Sequence, residues 1–361
     1  MIPLWKIKRE VSRLKHQAAA IPLLICEPIL QKKYDRNRAQ NINVSEGLLP
    51  ALENLVIFVI FQPKGVALSI LHTCRHLVKS GYSPVIVSNG PLSDTDRTSL
   101  QKVAHLVAER PNFGYDFGGY RDGVWLIENR SLSPNIILFL NDSVWFPVTD
   151  CSNFLDLISE TSADYIGTQV FENGPENSDV EIMFPSYCFA IKSPLLQHPV
   201  FTKFWSNYRL SSSKEVTLRR GERAFSRQML DAALKPLGVY SLSRFFKSLD
   251  TLENDKLHEV LNDMIALDPK HEAARTRLLG ASKGPSWNEE GKKLVKTVAK
   301  AKNYIGSSPV FSIKEMAFPM IKKNNQRLYT LARKQTLLAV DEGRMCRMNE
   351  TILAEMRVHK H

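Results

Sequence analysis

Four polar clusters in this sequence have the composition of chemical sites. Asn141-Asp142-Ser143 directly follows the apolar run Asn135-Ile136-Ile137-Leu138-Phe139-Leu140. A carboxylate just past an apolar strand is costly unless it is solvated or paired. One task for Asp142 is to hold Mg2+ or Mn2+ against a diphosphate, because hard cations prefer carboxylate oxygen. Such a metal neutralises charge building on a leaving group. The alternative is a plain turn, which Asn, Asp and Ser all favour. The run Asn112-Phe113-Gly114-Tyr115-Asp116-Phe117-Gly118-Gly119-Tyr120-Arg121-Asp122-Gly123 has four glycines and two carboxylates among aromatic rings. Such a loop lets backbone approach a ligand closely, or it caps a helix starting near Tyr120. Its Asp-Phe-Gly is not a kinase signature, since the β3 lysine motif and the His-Arg-Asp loop are both missing. Glu222 follows Arg219-Arg220-Gly221 and is expected to open a helix over 222–234. It is a candidate general base for a hydroxyl nucleophile, or an ordinary first-turn acid. Ser88-Asn89-Gly90 is the fourth cluster.

The elements that must position these residues are those of an α/β domain. Residues 55–61 form a continuous apolar run rich in β-branched and aromatic residues, the pattern of a buried parallel strand. Further strands are expected over 84–90, 135–140 and 164–168, with helices over 67–80 and 96–106. Strands alternating with helices predict a mostly parallel sheet covered on both faces. In such sheets ligands bind beyond the carboxyl ends of the strands. Ser88-Asn89-Gly90, the run from Asn112 and Asn141-Asp142-Ser143 all fall at such ends.

The chain divides into an N-terminal basic segment, 1–49, an α/β domain, 50–250, and a helical C-terminal region, 251–361. Helices are expected there over 254–267 and 289–304. Residues 3–24 read as a basic amphipathic helix, with Leu4, Ile7, Val11 and Leu14 on one face. It would lie on a membrane surface or pack on its own domain. The interleaved charges of residues 1–30 do not make a signal peptide, and no run of 18 apolar residues suggests a transmembrane helix. The net charge of +11 is uneven. Residues 1–40 carry nine Lys and Arg against three Asp and Glu, and residues 251–361 carry twenty against thirteen. The middle has nineteen against twenty-one. That argues against nucleic acid as a partner of the central domain and predicts basic ends that meet an anionic membrane. Cys26, Cys74, Cys151, Cys188 and Cys346 form no CxxC pair, which reads as reduced thiols in the cytoplasm.

Taken in order, the run 112–123 and Leu140-Asn141-Asp142-Ser143-Val144 resemble the rhamnan synthesis F family of bacterial cell-surface polysaccharide enzymes. More distantly they resemble glycosyltransferases of the GT-A fold. Pro185-Ser186-Tyr187-Cys188-Phe189-Ala190, with Phe204-Trp205 downstream, supports the likeness. The resemblance implies a GT-A-like sheet and an inverting transfer of a sugar, rhamnose or a related one, from a nucleotide donor. The acceptor it implies is a growing polysaccharide or a lipid-linked glycan, at the cytoplasmic face of the plasma membrane.

By the same resemblance, Ser88, Asn89, Asn112, Gly114, Asp116, Asn141 and Asp142 line the nucleotide-sugar pocket, and Asp142 holds Mg2+ or Mn2+. Glu222 is the base, and Ser186 and Tyr187 stand on the acceptor side. The sequence departs from the family at three places. It has one carboxylate in 141–143, Trp145-Phe146-Pro147 where a Gly is expected before the Pro, and Pro185 where Gln is common. The single carboxylate leaves a second reading open, a non-catalytic member that binds glycan or assembles a synthesis complex.

Overall fold

A computed structural model describes residues 26–150, 152–173, 181–301 and 303–359. The amphipathic helix expected over 3–24 and Cys151 lie outside them. The centre is an eight-stranded sheet. Its strands are β1 (Asn43–Glu46), β2 (Asn54–Ile60), β3 (Tyr82–Ser88), β4 (Leu106–Glu109), β5 (Ile136–Asn141), β7 (Tyr165–Gln169), β10 (Cys188–Lys192) and β11 (Pro236–Tyr240). Two-residue strands β6 (Val144–Trp145) and β12 (Ile321–Lys322) pair with each other, as do β8 (Phe171–Asn173) and β9 (Glu181–Met183). The strand order across the sheet is β1-β4-β3-β2-β5-β10-β7-β11. Neighbours β4, β3, β2 and β5 are parallel, as are β7 and β11, while β1 and β10 run against their neighbours. Six strands therefore share one direction, the mostly parallel α/β sheet that the alternating pattern predicted.

Two apolar layers follow from the period of two along each strand. Val56, Phe58 and Ile60 of β2 and Leu138 and Leu140 of β5 enter one core. Leu55, Ile57 and Val59, with Ile137 and Phe139, enter the other. Helices Leu68–Lys79, Phe154–Glu160 and Leu242–Asp250 cover the first face. Helices Tyr115–Asn129, Pro199–Asn207 and Ala224–Ala232 cover the second with a cluster of rings. Phe139 stacks on Phe189 with centroids 4.6 Å apart, a geometry that adds about 1 kcal/mol beyond burial.

The C-terminal region is helical, and its apolar side chains join the sheet's cores. Trp287, Leu294, Val295 and Val298 of helix Pro285–Ala301 enter the first core. A third core joins Trp145 and Val148 to Ile313, Ile321, Ile352, Leu353 and Met356. Glu355 ties this corner together. Its carboxylate accepts from the Trp145 indole N–H at 2.9 Å and from the Ser69 backbone N–H at 2.8 Å. That fixes a use for Trp145. Among the described residues no helix is long and apolar enough to cross a membrane, and Cys26, Cys74 and Cys188 are free thiols.

Several expected boundaries move. The helix expected over 96–106 is Asp94–Gln101, and Leu106 starts β4 instead. The last two expected helices are Asn254–Asp263 and Pro285–Ala301. The glycine-rich run is no loop. Its helix begins at Tyr115, straight after Gly114 at φ +88°. Glycines at 119 and 123 lie inside that helix against β2. A Cβ on Gly119 would stand 2.8 Å from both Val59 methyls, and one on Gly123 would stand 2.4 Å from Ile57 Cγ2. These glycines serve close helix–sheet packing, not the approach of a ligand.

Candidate functional site

The parallel strands end together. Ile60 is opposite Ser88 and Val59 is opposite Asn141, so β2, β3 and β5 deliver their last residues to one edge. Helix Tyr115–Asn129 starts at the same edge, where the Tyr115 carbonyl accepts from Asn89 Nδ2 at 3.2 Å. Asn141 Nδ2 donates to Asp116 Oδ2 at 3.0 Å. Asn141 Oδ1 accepts from the Ser143 backbone N–H at 3.1 Å and its hydroxyl at 2.6 Å. Beside them Asp142 Oδ2 accepts from the Phe61 N–H at 2.8 Å and from Gln62 Nε2 at 2.6 Å.

Glu222 reaches this edge from another direction. It lies in a π-helical turn, Leu218–Arg223, and the regular helix starts only at Ala224. The helix expected to open at Glu222 is therefore displaced, and its role as a first-turn acid falls away. Gly221 permits the turn to sit on the aromatic core, since a Cβ there would meet Phe117 at 2.5 Å. Glu222 Oε1 accepts from the Ser186 N–H at 3.1 Å, and the Ser186 carbonyl accepts from the Tyr120 hydroxyl at 2.8 Å.

The electrostatics follow from the closeness of these groups. Burial, then the nearby charge of Asp142, pushes the Asp116 carboxyl up to about 6, with Glu222 adding to the rise. Lys214 and Lys322 oppose it. Burial also raises Asp142, against the donors from Phe61 and Gln62 and the charge of Lys323. Burial lowers the Lys322 ammonium to about 8, against the pull of Glu222 and Asp116. Its Nζ stands 3.8 Å from the centre of the Tyr187 ring, while Lys323 Nζ lies 5.3 Å from the centre of the Trp145 ring system.

Asp116, Asn141, Asp142, Glu222 and Ser186 are thus brought together with Tyr187. Ser88 and Asn89 lie along the same edge in structural contacts. The Ser88 hydroxyl donates to the Gly90 carbonyl at 2.8 Å, and Asn89 Oδ1 accepts from Arg110 at 2.5 Å. Asn112 is exposed. Gly114 is held by its left-handed backbone and by Leu210, whose Cδ2 would stand 2.6 Å from a Cβ. Of the two acids in the run, only Asp116 faces the site. Asp122 is fully buried and accepts from Arg110 Nε and the Tyr34 hydroxyl, each at 2.6 Å. Arg121 makes a two-pronged pair with Asp35 at 2.6 and 2.8 Å.

Lys322, Lys323 and Gln62 were missed from the sequence. A two-residue strand has no period to read, and only its pairing with β6 carries the lysines to the site.

Among the described residues, no group of three or more His, Cys, Asp or Glu could hold a metal ion. Asp142 Oδ2 already accepts two N–H bonds. These residues do not fit a divalent cation caged by protein ligands.

Residues 84–259 match the family model of rhamnan synthesis protein F, the family whose motifs the sequence resembles. The chain is 29% identical over 355 residues to the uncharacterized protein y4gN of Sinorhizobium fredii, covering 95% of this chain and 88% of that protein. Two solved structures show some likeness. The mannosyltransferase PcManGT from Pyrobaculum calidifontis, in complex with GDP-Man and Mn2+, is 9% identical with a TM-score of 0.32, over 94% of this chain and 96% of that one. TarS 1–349 of S. aureus, in complex with UDP-GlcNAc, is 11% identical with a TM-score of 0.31, over 85% and 88%.

Proposed function

We propose, from the match of residues 84–259 to the rhamnan synthesis protein F family, that this chain is a nucleotide-sugar-dependent glycosyltransferase of cell-surface polysaccharide synthesis. The observation that carries this reading is the meeting of Asp116, Asn141, Asp142 and Glu222 at the carboxyl edge of the parallel strands. Ligands in open α/β sheets bind at that edge. Asn141 and Asp142 face the donor's diphosphate end, Asp116 faces its sugar, and Ser88, Asn89, Asn112 and Gly114 line the nucleotide side.

Glu222 takes the proton of the acceptor hydroxyl as that oxygen attacks the sugar's anomeric carbon. The bond to the nucleoside diphosphate breaks on the opposite side, which inverts the centre. The Ser186 N–H holds one Glu222 oxygen at 3.1 Å and leaves the other for the hydroxyl. A base in hydrogen-bond reach contributes about 10²–10⁴-fold to such a step. Ser186 and Tyr187 border the acceptor side. The acceptor is a polysaccharide end or lipid-linked glycan, the sugar rhamnose or a relative, and the basic ends of the chain lie on the anionic cytoplasmic leaflet.

The test is turnover of a nucleotide-sugar panel with a membrane fraction as acceptor. Product formation by the wild type and its loss in Glu222→Gln support the reading. No binding of any donor and no transfer, in wild type and variant alike, points to the glycan-binding or assembly protein instead.

A further inference from the structure

The site gathers three carboxylates, yet its Asp142 is already engaged by two N–H donors. A bound diphosphate brings further negative charge to the same place. Uncompensated, that charge would repel Asp116 and Asp142 in a poorly solvated pocket. The compensating charge has to come from somewhere in the chain or from a cation.

Strand β12 supplies it. Lys322 pairs in register with Val144, the residue after Ser143, and the Lys323 N–H donates to the Ser143 carbonyl at 2.9 Å. The two lysines are thus clamped to the segment that carries Asn141 and Asp142. Lys322 lies on the Tyr187 ring and is within the influence of Asp116 and Glu222, whereas Lys323 feels Asp142 and Glu355. Among the described residues each ammonium has a ring contact and no salt bridge. Both are half-buried, and each is a cation without a fixed anionic partner among the described residues. A lysine in that state is a strong anchor for a phosphate oxygen.

We propose that Lys322 and Lys323 are the countercharge for the donor's diphosphate, and that this chain binds it without a divalent cation. The proposal rests on the transferase reading given above. β12 then acts as the lid-side half of the diphosphate site, and the C-terminal region completes a site whose other half lies on the sheet. Tyr187 positions the Lys322 ammonium through its ring face.

The experiment is calorimetric titration of the full chain with pyrophosphate and with UDP, GDP and dTDP, in EDTA and then with Mn2+. The expected result is binding in EDTA that added Mn2+ changes less than twofold. Lys322→Met, which keeps the apolar stem, weakens it roughly 10- to 100-fold, and Lys322→Arg recovers most of the loss. Lys323→Met, which removes the ammonium that feels Asp142, weakens it by a similar factor. Thermal unfolding of each variant controls for folding, and the arginine variant keeps the test decisive if Lys322→Met is unstable. Binding that appears only with Mn2+, or that both methionine variants retain in full, overturns the proposal while leaving the transferase intact. If no nucleoside diphosphate binds under any condition, the transferase reading itself fails.

Discussion

Replacing Asp116 with Asn should stabilise the protein while disabling its site. The carboxyl rises from 3.8 to about 6 in the folded chain, chiefly through burial and then through Asp142. A raised pKa means that the native state holds the proton more tightly than the unfolded state does. The charge on Asp116 therefore opposes folding by an amount that is absent below about pH 3.8, grows between 3.8 and 6, and is complete above. At ~1.4 kcal/mol per tenfold change, linkage puts this near 3 kcal/mol at pH 7.5 and near 1 kcal/mol at pH 4.5. Asparagine lacks the charge, and its side-chain carbonyl can still accept from Asn141 Nδ2. Urea unfolding of both proteins at the two pH values measures the difference directly. The variant is expected to be the more stable by about 3 kcal/mol at pH 7.5, with roughly a third of that margin at pH 4.5. A destabilised variant at pH 7.5, or a margin that ignores pH, would refute the reasoning. The carboxylate would then be no strained site group but an ordinary solvated acid.

Other consequences can be checked with single substitutions. Asp122→Ala leaves Arg110 buried without its partner, and about 3–5 kcal/mol of stability is expected to be lost in denaturant melts. Gly123→Ala presses a Cβ onto Ile57, and a loss of about 1–3 kcal/mol is expected from overpacking. Because the Lys322 ammonium titrates near 8, pyrophosphate affinity should fall as pH rises past that value. In Lys322→Arg the fall should vanish, since guanidinium stays charged; an unchanged profile in that variant would remove Lys322 from the binding step.

How much of this could be read in the sequence depended on burial. Strands β2, β3, β5 and β7 were legible because residues such as Leu55–Ile60 are buried on both faces, leaving an unbroken apolar run. Strand β4 was lost to the preceding helix, as Leu106–Glu109 is only four residues long. Strand β10, running against its neighbours, gave no sign of direction. The acids of the site were legible as polar residues just beyond apolar strands. The glycines at 119 and 123 misled, because a tight helix–sheet contact and a ligand loop ask for the same residue. Lys322 and Lys323 were invisible for a different reason. Their place is set by tertiary pairing of β12 with β6, and nothing local in Ile321-Lys322-Lys323 signals it. The π-helical setting of Glu222 was not legible, since a single widened turn leaves no pattern in residue types.

The most direct measurement is a pair of titrations and turnovers on wild type and Glu222→Gln with the nucleotide sugar that the panel identifies. Donor affinity should stay within about twofold, since Glu222 serves the acceptor, while transfer to the glycan should fall by about 10²–10⁴-fold. A variant that transfers sugar at the wild-type rate, or a wild type that binds no nucleotide sugar, would contradict the assignment of this edge of the sheet as a glycosyltransferase site.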